Sequence, residues 1–186
     1  AFTPSGAALE LAFALDCAGE MLTPRGREYV LKALALKGVA PITYSMWARD
    51  FAWESNQGMV FLQGKMASLL VFDKTWPRVG PMLATTKAEA DEVMDALSRP
   101  DGSYMESYAY MAYTMGCAAP LYEMHAHMSG KKLTDILPRN LSRSGGFADV
   151  VASTSRDPGR PIISIGQAHN WQHMDPLAAA FMAAAV

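Results

Sequence analysis

The sequence predicts a mainly α-helical fold, a single helical domain spanning residues 1–186 with a polar, basic loop region and room for one short β-hairpin. Three observations carry that prediction. The 186 residues include 30 Ala and 13 Met, a composition that favours helices packed through small and adaptable side chains. Apolar residues make up 51% and charged ones only 18%, which excludes a disordered chain or a coiled coil. Hydroxyl-Pro pairs and Gly-bearing turns recur at helix-length intervals, the chemistry of helix starts and stops.

Thr3-Pro4 opens a helix expected to reach about Met21. Thr23-Pro24 repeats the device, and Tyr29, Val30, Ala33, Leu34 and Leu36 place an apolar stripe on a helix expected to stop at Gly38. Pro41 starts a third, carrying Met46, Trp47, Phe51 and Trp53 into a turn at Glu54–Gly58. Met59–Leu62 and Leu69–Phe72 are short apolar runs that periodicity leaves open between hairpin and helix. Thr86-Lys87-Ala88-Glu89 and Ser103-Tyr104-Met105-Glu106 read as capping boxes, so a helix is expected to begin at each. The first should end at Arg99–Gly102 and the second at Gly116, with Pro120 opening another that reaches Gly130. Asp175-Pro176 caps a last Ala-rich helix. Breaks are thus expected near Gly38, Gly58, Pro100 and Gly116, and Trp47, Phe51, Tyr108, Met111 and Met115 are expected in the core.

Cys17 and Cys117 lie in apolar helical contexts and read as buried hydrophobes rather than a disulfide framework, which favours a reducing, intracellular (cytoplasmic) setting or a virion. The longest uncharged runs are interrupted by Gly, Pro, Gln, Asn or His, so no membrane partner is expected. The chain opens Ala1-Phe2-Thr3 with no visible signal or transit peptide, which fits a processed chain.

All four histidines fall in two pairs, His125/His127 and His169/His173, a spacing that zinc sites use, with Glu123 beside the first pair as a candidate base. On a helix, residues two apart face different sides, so His125 and His127 cannot share a metal there. A helix signal at Asp175-Pro176 also comes too late to align His169 with His173. No cofactor is therefore expected, and zinc belongs to the alternative reading. A Cys117–His nucleophile lacks the electropositive setting that a catalytic thiol needs. Ser153-Thr154-Ser155 resembles the strand motif of ADP-ribosyltransferases, but no Glu follows Glu123 to act in catalysis.

Charge is unevenly spread. Residues 1–130 hold 10 basic and 14 acidic side chains, whereas 131–160 hold Lys131, Lys132, Arg139, Arg143, Arg156 and Arg160 against three Asp. Ser142, Ser144, Ser153, Thr154 and Ser155 are interleaved with them, and guanidinium groups with hydroxyls suit phosphate oxygens. The candidate nucleic-acid-binding residues are Lys131, Lys132, Arg139, Ser142, Arg143, Ser153, Ser155, Arg156 and Arg160, within a basic Ser/Gly/Arg-rich loop region at 131–165. A solvated surface loop is the competing reading.

Phe51-Ala52-Trp53-Glu54-Ser55-Asn56-Gln57-Gly58, Arg139-Asn140-Leu141 and Phe147-Ala148-Asp149 followed by Ser153–Pro158 resemble, in order, elements of the coat proteins of flexuous filamentous plant viruses. The chain departs from that family in lacking an Arg on the Tyr104–Tyr113 segment and in separating Phe147 from Asp149. The resemblance implies a helical, non-enzymatic subunit that assembles with copies of itself and packs single-stranded RNA. The alternative is a small intracellular metal-dependent hydrolase using His125, His127, His169 and His173.

Overall fold

The computed structural model describes residues 2–73, 76–144, 146, 180–181 and 183. The described residues form α1 (Phe2–Ala18), α2 (Pro24–Ala33), α3 (Ala40–Trp47), α4 (Asn56–Asp73), α5 (Gly80–Leu97) and α6 (Tyr108–Ser129), joined by short 3-10 and π segments. No strand is present among them, only an isolated antiparallel bridge between Ser98 and Tyr104. The fold is a mainly helical single domain, and Met59–Leu62 and Leu69–Phe72 both lie on α4.

α4 is the axis of the molecule. From Asn56 to Phe72 only Gln57 and Gln63 are partly exposed, so the helix is buried on all sides, as its lack of a polar face requires. It packs against α1, α5, α6 and the α2–α3 segment. The α1 crossing is close: the Ser5 hydroxyl donates to the carbonyl of Val60, and a Cβ at Gly64 would overlap the Ser5 carbonyl oxygen. Only glycine lets the two backbones meet there.

Several local signals are overruled by packing. The chain does not stop at Gly38; a π segment (Leu34–Val39) carries α2 into α3, and its wider turn accommodates Pro41, which has no N–H and would press on the carbonyl four residues back. The break expected near Gly58 is present slightly earlier, since the chain turns at 53–55 and α4 begins at Asn56, which places Gly58 in its first turn. Thr86 is no cap either, since α5 begins at Gly80-Pro81 and the Thr86 hydroxyl donates back to the Met82 carbonyl at 2.8 Å. Ser103 instead donates to Asp101 at 2.7 Å, and α6 is capped by Ser107, whose hydroxyl accepts from the Tyr110 N–H at 3.3 Å. The Glu106 carboxylate is used elsewhere, accepting from the Asn56 backbone N–H at 3.2 Å and from its side-chain amide at 2.9 Å, so it serves the start of α4. Gly116 and Pro120 both lie inside α6. Met115, Ala118, Ala119, Leu121 and Tyr122 bracket the proline and are all buried, which outweighs its lost hydrogen bond. The expected break at Pro100 is present, because α5 ends at Leu97.

The core also departs from expectation. Met111 and Met115 are fully buried, but Trp47 is 67% and Phe51 49% exposed. α3 ends at Trp47, so Phe51 does not share its helical face, and the inward face of α3 is made by Ile42 and Met46 instead. Trp47 rests edge-on against Trp53, their centroids 5.7 Å apart. Tyr108 begins α6, and its side chain lies outside what the structure describes. Of the helix expected after Asp175 only Ala180, Phe181 and Ala183 are described; all three are helical, and Phe181 is buried with its ring stacked on Tyr122. Cys117 is buried as expected, whereas Cys17 sits on the outer side of α1 and is exposed. No described helix is long and apolar enough to cross a membrane.

Gly64→Ala should destabilise the protein by about 1–3 kcal/mol, because the overlap is with backbone that cannot yield. Gly116→Ala has nothing within 4 Å of the added methyl and should be neutral or stabilising by up to about 1 kcal/mol. Urea unfolding of the two variants checks both.

Candidate binding groove and basic segment

The one lysine on α4, Lys65, lies in the middle of a helix with no water-facing side. An ammonium in that position must be paired, because desolvating it alone is prohibitive. Glu89 on α5 supplies the partner: Lys65 Nζ meets Glu89 Oε2 at 2.7 Å, with the two side chains 4% and 5% exposed. The other carboxylate oxygen, Glu89 Oε1, is buried and has no hydrogen-bond partner among the described residues, and the same holds for Thr43 Oγ1 on α3.

Thr43 and Glu89 border one small cavity of about 220 Å³ whose other walls include Trp47, Met82 and Thr85, although the two unpartnered oxygens are themselves shielded from solvent. Thr43, Trp47 and Met82 also line a larger groove of about 640 Å³ between α3, α4 and the start of α5. Its walls are apolar and aromatic, with Tyr44 and Trp47 from α3 and Phe72 from α4. Trp76 completes them, stacked on Phe72 with centroids 5.3 Å apart. Tyr44, Trp47, Trp76 and Met82 are all substantially exposed. A concave surface lined predominantly by apolar and aromatic side chains has the composition of a small-molecule site.

The described part of the basic segment is docked on the body rather than free in solvent. Ile136 and Leu141 are buried. The Asn140 side-chain amide donates to the Ser98 carbonyl at 2.9 Å, and the Arg143 guanidinium donates to the Pro100 carbonyl at 2.6 Å. Gly102 turns with φ +87° beneath this contact, where a Cβ would overlap the Arg143 carbonyl, so glycine is required twice over. Lys131 and Lys132 are exposed just after the left-handed Gly130 that ends α6. Arg139 is exposed and has an interaction of its own within the fold. Ser142 lies in the short 3-10 segment Leu141–Arg143. Ser153, Ser155, Arg156 and Arg160 fall outside the described residues.

His125 and His127 are both on α6, half-buried and exposed respectively, while His169 and His173 fall outside the described residues. Burial, followed by the charges of Lys87 and Lys131, holds the His125 imidazole below its ordinary pKa. His127 lines a separate apolar cleft between α1, α4 and α6 with Asp16. Among the described residues no three His, Cys, Asp or Glu converge where they could hold a metal ion. Burial pushes the Cys117 thiol up to about 12, which makes it a poor nucleophile at neutral pH. A second polar cluster joins α5 to α6: Asp91 accepts from Lys87 at 2.6 Å and from the Tyr122 hydroxyl at 2.8 Å, and Lys87 lies over the Tyr122 ring. Every described partner in it is satisfied within the cluster, which marks it as a strut between helices.

Sequence reasoning named none of the groove residues as a site. A signal was available in Lys65, the single charge between Met59 and Phe72 in a run otherwise dominated by apolar residues. Its partner, 24 residues away, and the walls contributed by α3 belong to tertiary structure.

Glu89→Leu should lower stability by about 3–5 kcal/mol by leaving the Lys65 charge unpaired, and adding Lys65→Met should restore most of the loss. Urea unfolding at neutral pH reads the cycle. In a separate check, a thiol reagent applied to the native protein should modify Cys17 rapidly and Cys117 only on unfolding. Comparison with family models, curated proteins and solved structures found nothing that matches this chain.

Proposed function

We propose that the protein is a binding subunit rather than a catalyst, and that the groove between α3, α4 and α5 is its working surface, which takes a small apolar molecule. The observation that carries this reading is the apolar groove of about 640 Å³ walled by Tyr44, Trp47 and Trp76, three aromatic side chains that are left substantially exposed. A structural core has no use for an exposed cluster of Tyr44, Trp47 and Trp76, and apolar patches of that kind mark sites of contact with ligands or partners. Equilibrium dialysis against 2-methylnaphthalene should show saturable binding of one molecule per chain. Trp47→Ala should weaken it about fivefold or more by removing an aromatic wall. Tyr29→Ala, an equally exposed aromatic on α2, should leave it unchanged. Absence of saturable binding, or indifference to Trp47→Ala, contradicts the reading.

A second reading is the coat-like, self-assembling subunit that binds single-stranded RNA through the 131–165 segment. What favours it is that Lys131, Lys132 and Arg139 stand exposed on the described part of the basic segment, which is anchored to the body through Asn140 and Arg143. Backbone contacts of that kind are independent of base sequence and weaken with salt. Poly(U) binding should then show a linear fall of log affinity with log salt. Changing Lys131 and Lys132 to Ala should flatten that slope by about 0.7 for each lost contact. Arg25→Ala and Arg27→Ala serve as controls on the start of α2 and should alter it less. The hydrolase alternative has half of its histidines outside the described residues and no observation in its favour.

A further inference from the structure

We propose that the cleft between α1, α4 and α6 is a second binding site, which takes a small apolar amine in its ammonium form, of the size of one aromatic ring with a short cationic arm. This site is separate from the groove on α3 and does not depend on the reading given to that groove.

Volume and lining set the apolar part of the ligand. The cleft holds about 210 Å³, with Leu70 of α4, Phe13 of α1 and Met124 and Met128 of α6 among its walls. Leu70 is buried, whereas Phe13 is 46% and Met128 43% exposed, so apolar surface on both α1 and α6 is open to solvent here. An apolar cavity of about 150 Å³ is enough for one benzene ring, so this cleft has room for a ring and a short substituent. Thioethers and the edge or face of a phenylalanine suit an aromatic guest.

Charge selects the substituent. Asp16 carries the one carboxylate on the lining and is exposed, and no described lysine or arginine borders the cleft. Arg27 reaches back to Gly19, past the lining. Asp16 has an interaction of its own within the fold, but a carboxylate presents about four lone-pair sites and can accept from an ammonium as well. Asp16 also lies in the last turn of α1, which holds no basic residue. The C-terminal end of a helix carries partial negative charge, and the last turn of α6 borders the same cleft through His127 and Met128. A carboxylate and two helix ends therefore set a negative potential beside an apolar cleft, the complement of an ammonium group and a source of repulsion for an anionic one. His127 is the one lining group that can oppose this. At about pH 8 an imidazole is mostly uncharged and offers an acceptor rather than a like charge.

Nuclear magnetic resonance titration of the full chain, labelled at its methionine methyl carbons, with benzylamine, benzyl alcohol and phenylacetate at about pH 8 tests the proposal, since the three share one ring and differ in the charge of the arm. Met124 and Met128, assigned by single substitution to Leu, report the cleft, and Met82 reports the groove. Benzylamine should move the Met124 and Met128 signals saturably and bind about fivefold more tightly than benzyl alcohol, the worth of an ion pair at a partly exposed site. Phenylacetate should bind more weakly than either. Asp16→Asn should bring benzylamine down to the level of benzyl alcohol. Glu10→Gln removes an exposed acid of α1 that does not border the cleft, and should leave the preference intact. Equal affinity for benzylamine and benzyl alcohol, or a preference that survives Asp16→Asn, overturns the proposal. Shifts confined to Met82, which place the probe in the groove instead, or no saturable shift with any probe, overturn it as well.

Discussion

A lysine on a helix with no exposed side sets the terms for the rest of the molecule. α4 can be buried against α1, α5 and α6 because most of its side chains are apolar or small, and Lys65 is the one charge buried in its middle. Its ammonium can be held there only by a carboxylate at hydrogen-bond distance, so Glu89 must face α4 and the rotation of α5 about its own axis follows. Thr86, one turn earlier, is then fully buried and returns its hydroxyl to its own helix. One carboxylate oxygen is committed to Lys65, and the other is buried without a partner among the described residues.

The α1 crossing complements this arrangement. Ser5 hydrogen-bonds to the carbonyls of α4 while Gly64 clears space for the Ser5 backbone, so the two helices meet at small residues and their neighbours interdigitate. With α1 on one side and the ion pair on another, α4 is held in position from two directions. The groove lies along α3 and the start of α5, where the cover over α4 is aromatic and incomplete.

The helical class and the devices at Thr23-Pro24 and Gly130 were legible in the sequence because their chemistry is local: Thr23 accepts from the Gly26 N–H at 3.1 Å, and Gly130 adopts φ +64°. The two capping boxes misled for a common reason. Each contains a glutamate whose partner is distant in sequence, Lys65 for Glu89 and Asn56 for Glu106, and a local pattern cannot tell a cap from a tertiary contact. Gly116-x-x-x-Pro120 reads as a stop and a start, yet the burial of the residues around it keeps α6 continuous. Trp47 and Phe51 read as core by hydrophobicity but are both exposed, and the exposure of Trp47 is part of what makes the groove visible as a site. The basic segment was legible as charge, but its anchoring through Arg143 and Asn140 depends on carbonyls in the α5–α6 connection more than 40 residues away, a contact no local pattern signals.

The account stands on the buried pair that fixes α4 against α5 and on the aromatic groove beside it. The most direct measurement is a crystal structure of the protein grown with 2-methylnaphthalene. The account predicts the naphthalene ring against Trp47 and Trp76, with Lys65 and Glu89 paired and buried. A probe bound elsewhere, or Lys65 and Glu89 found apart and hydrated, would contradict it.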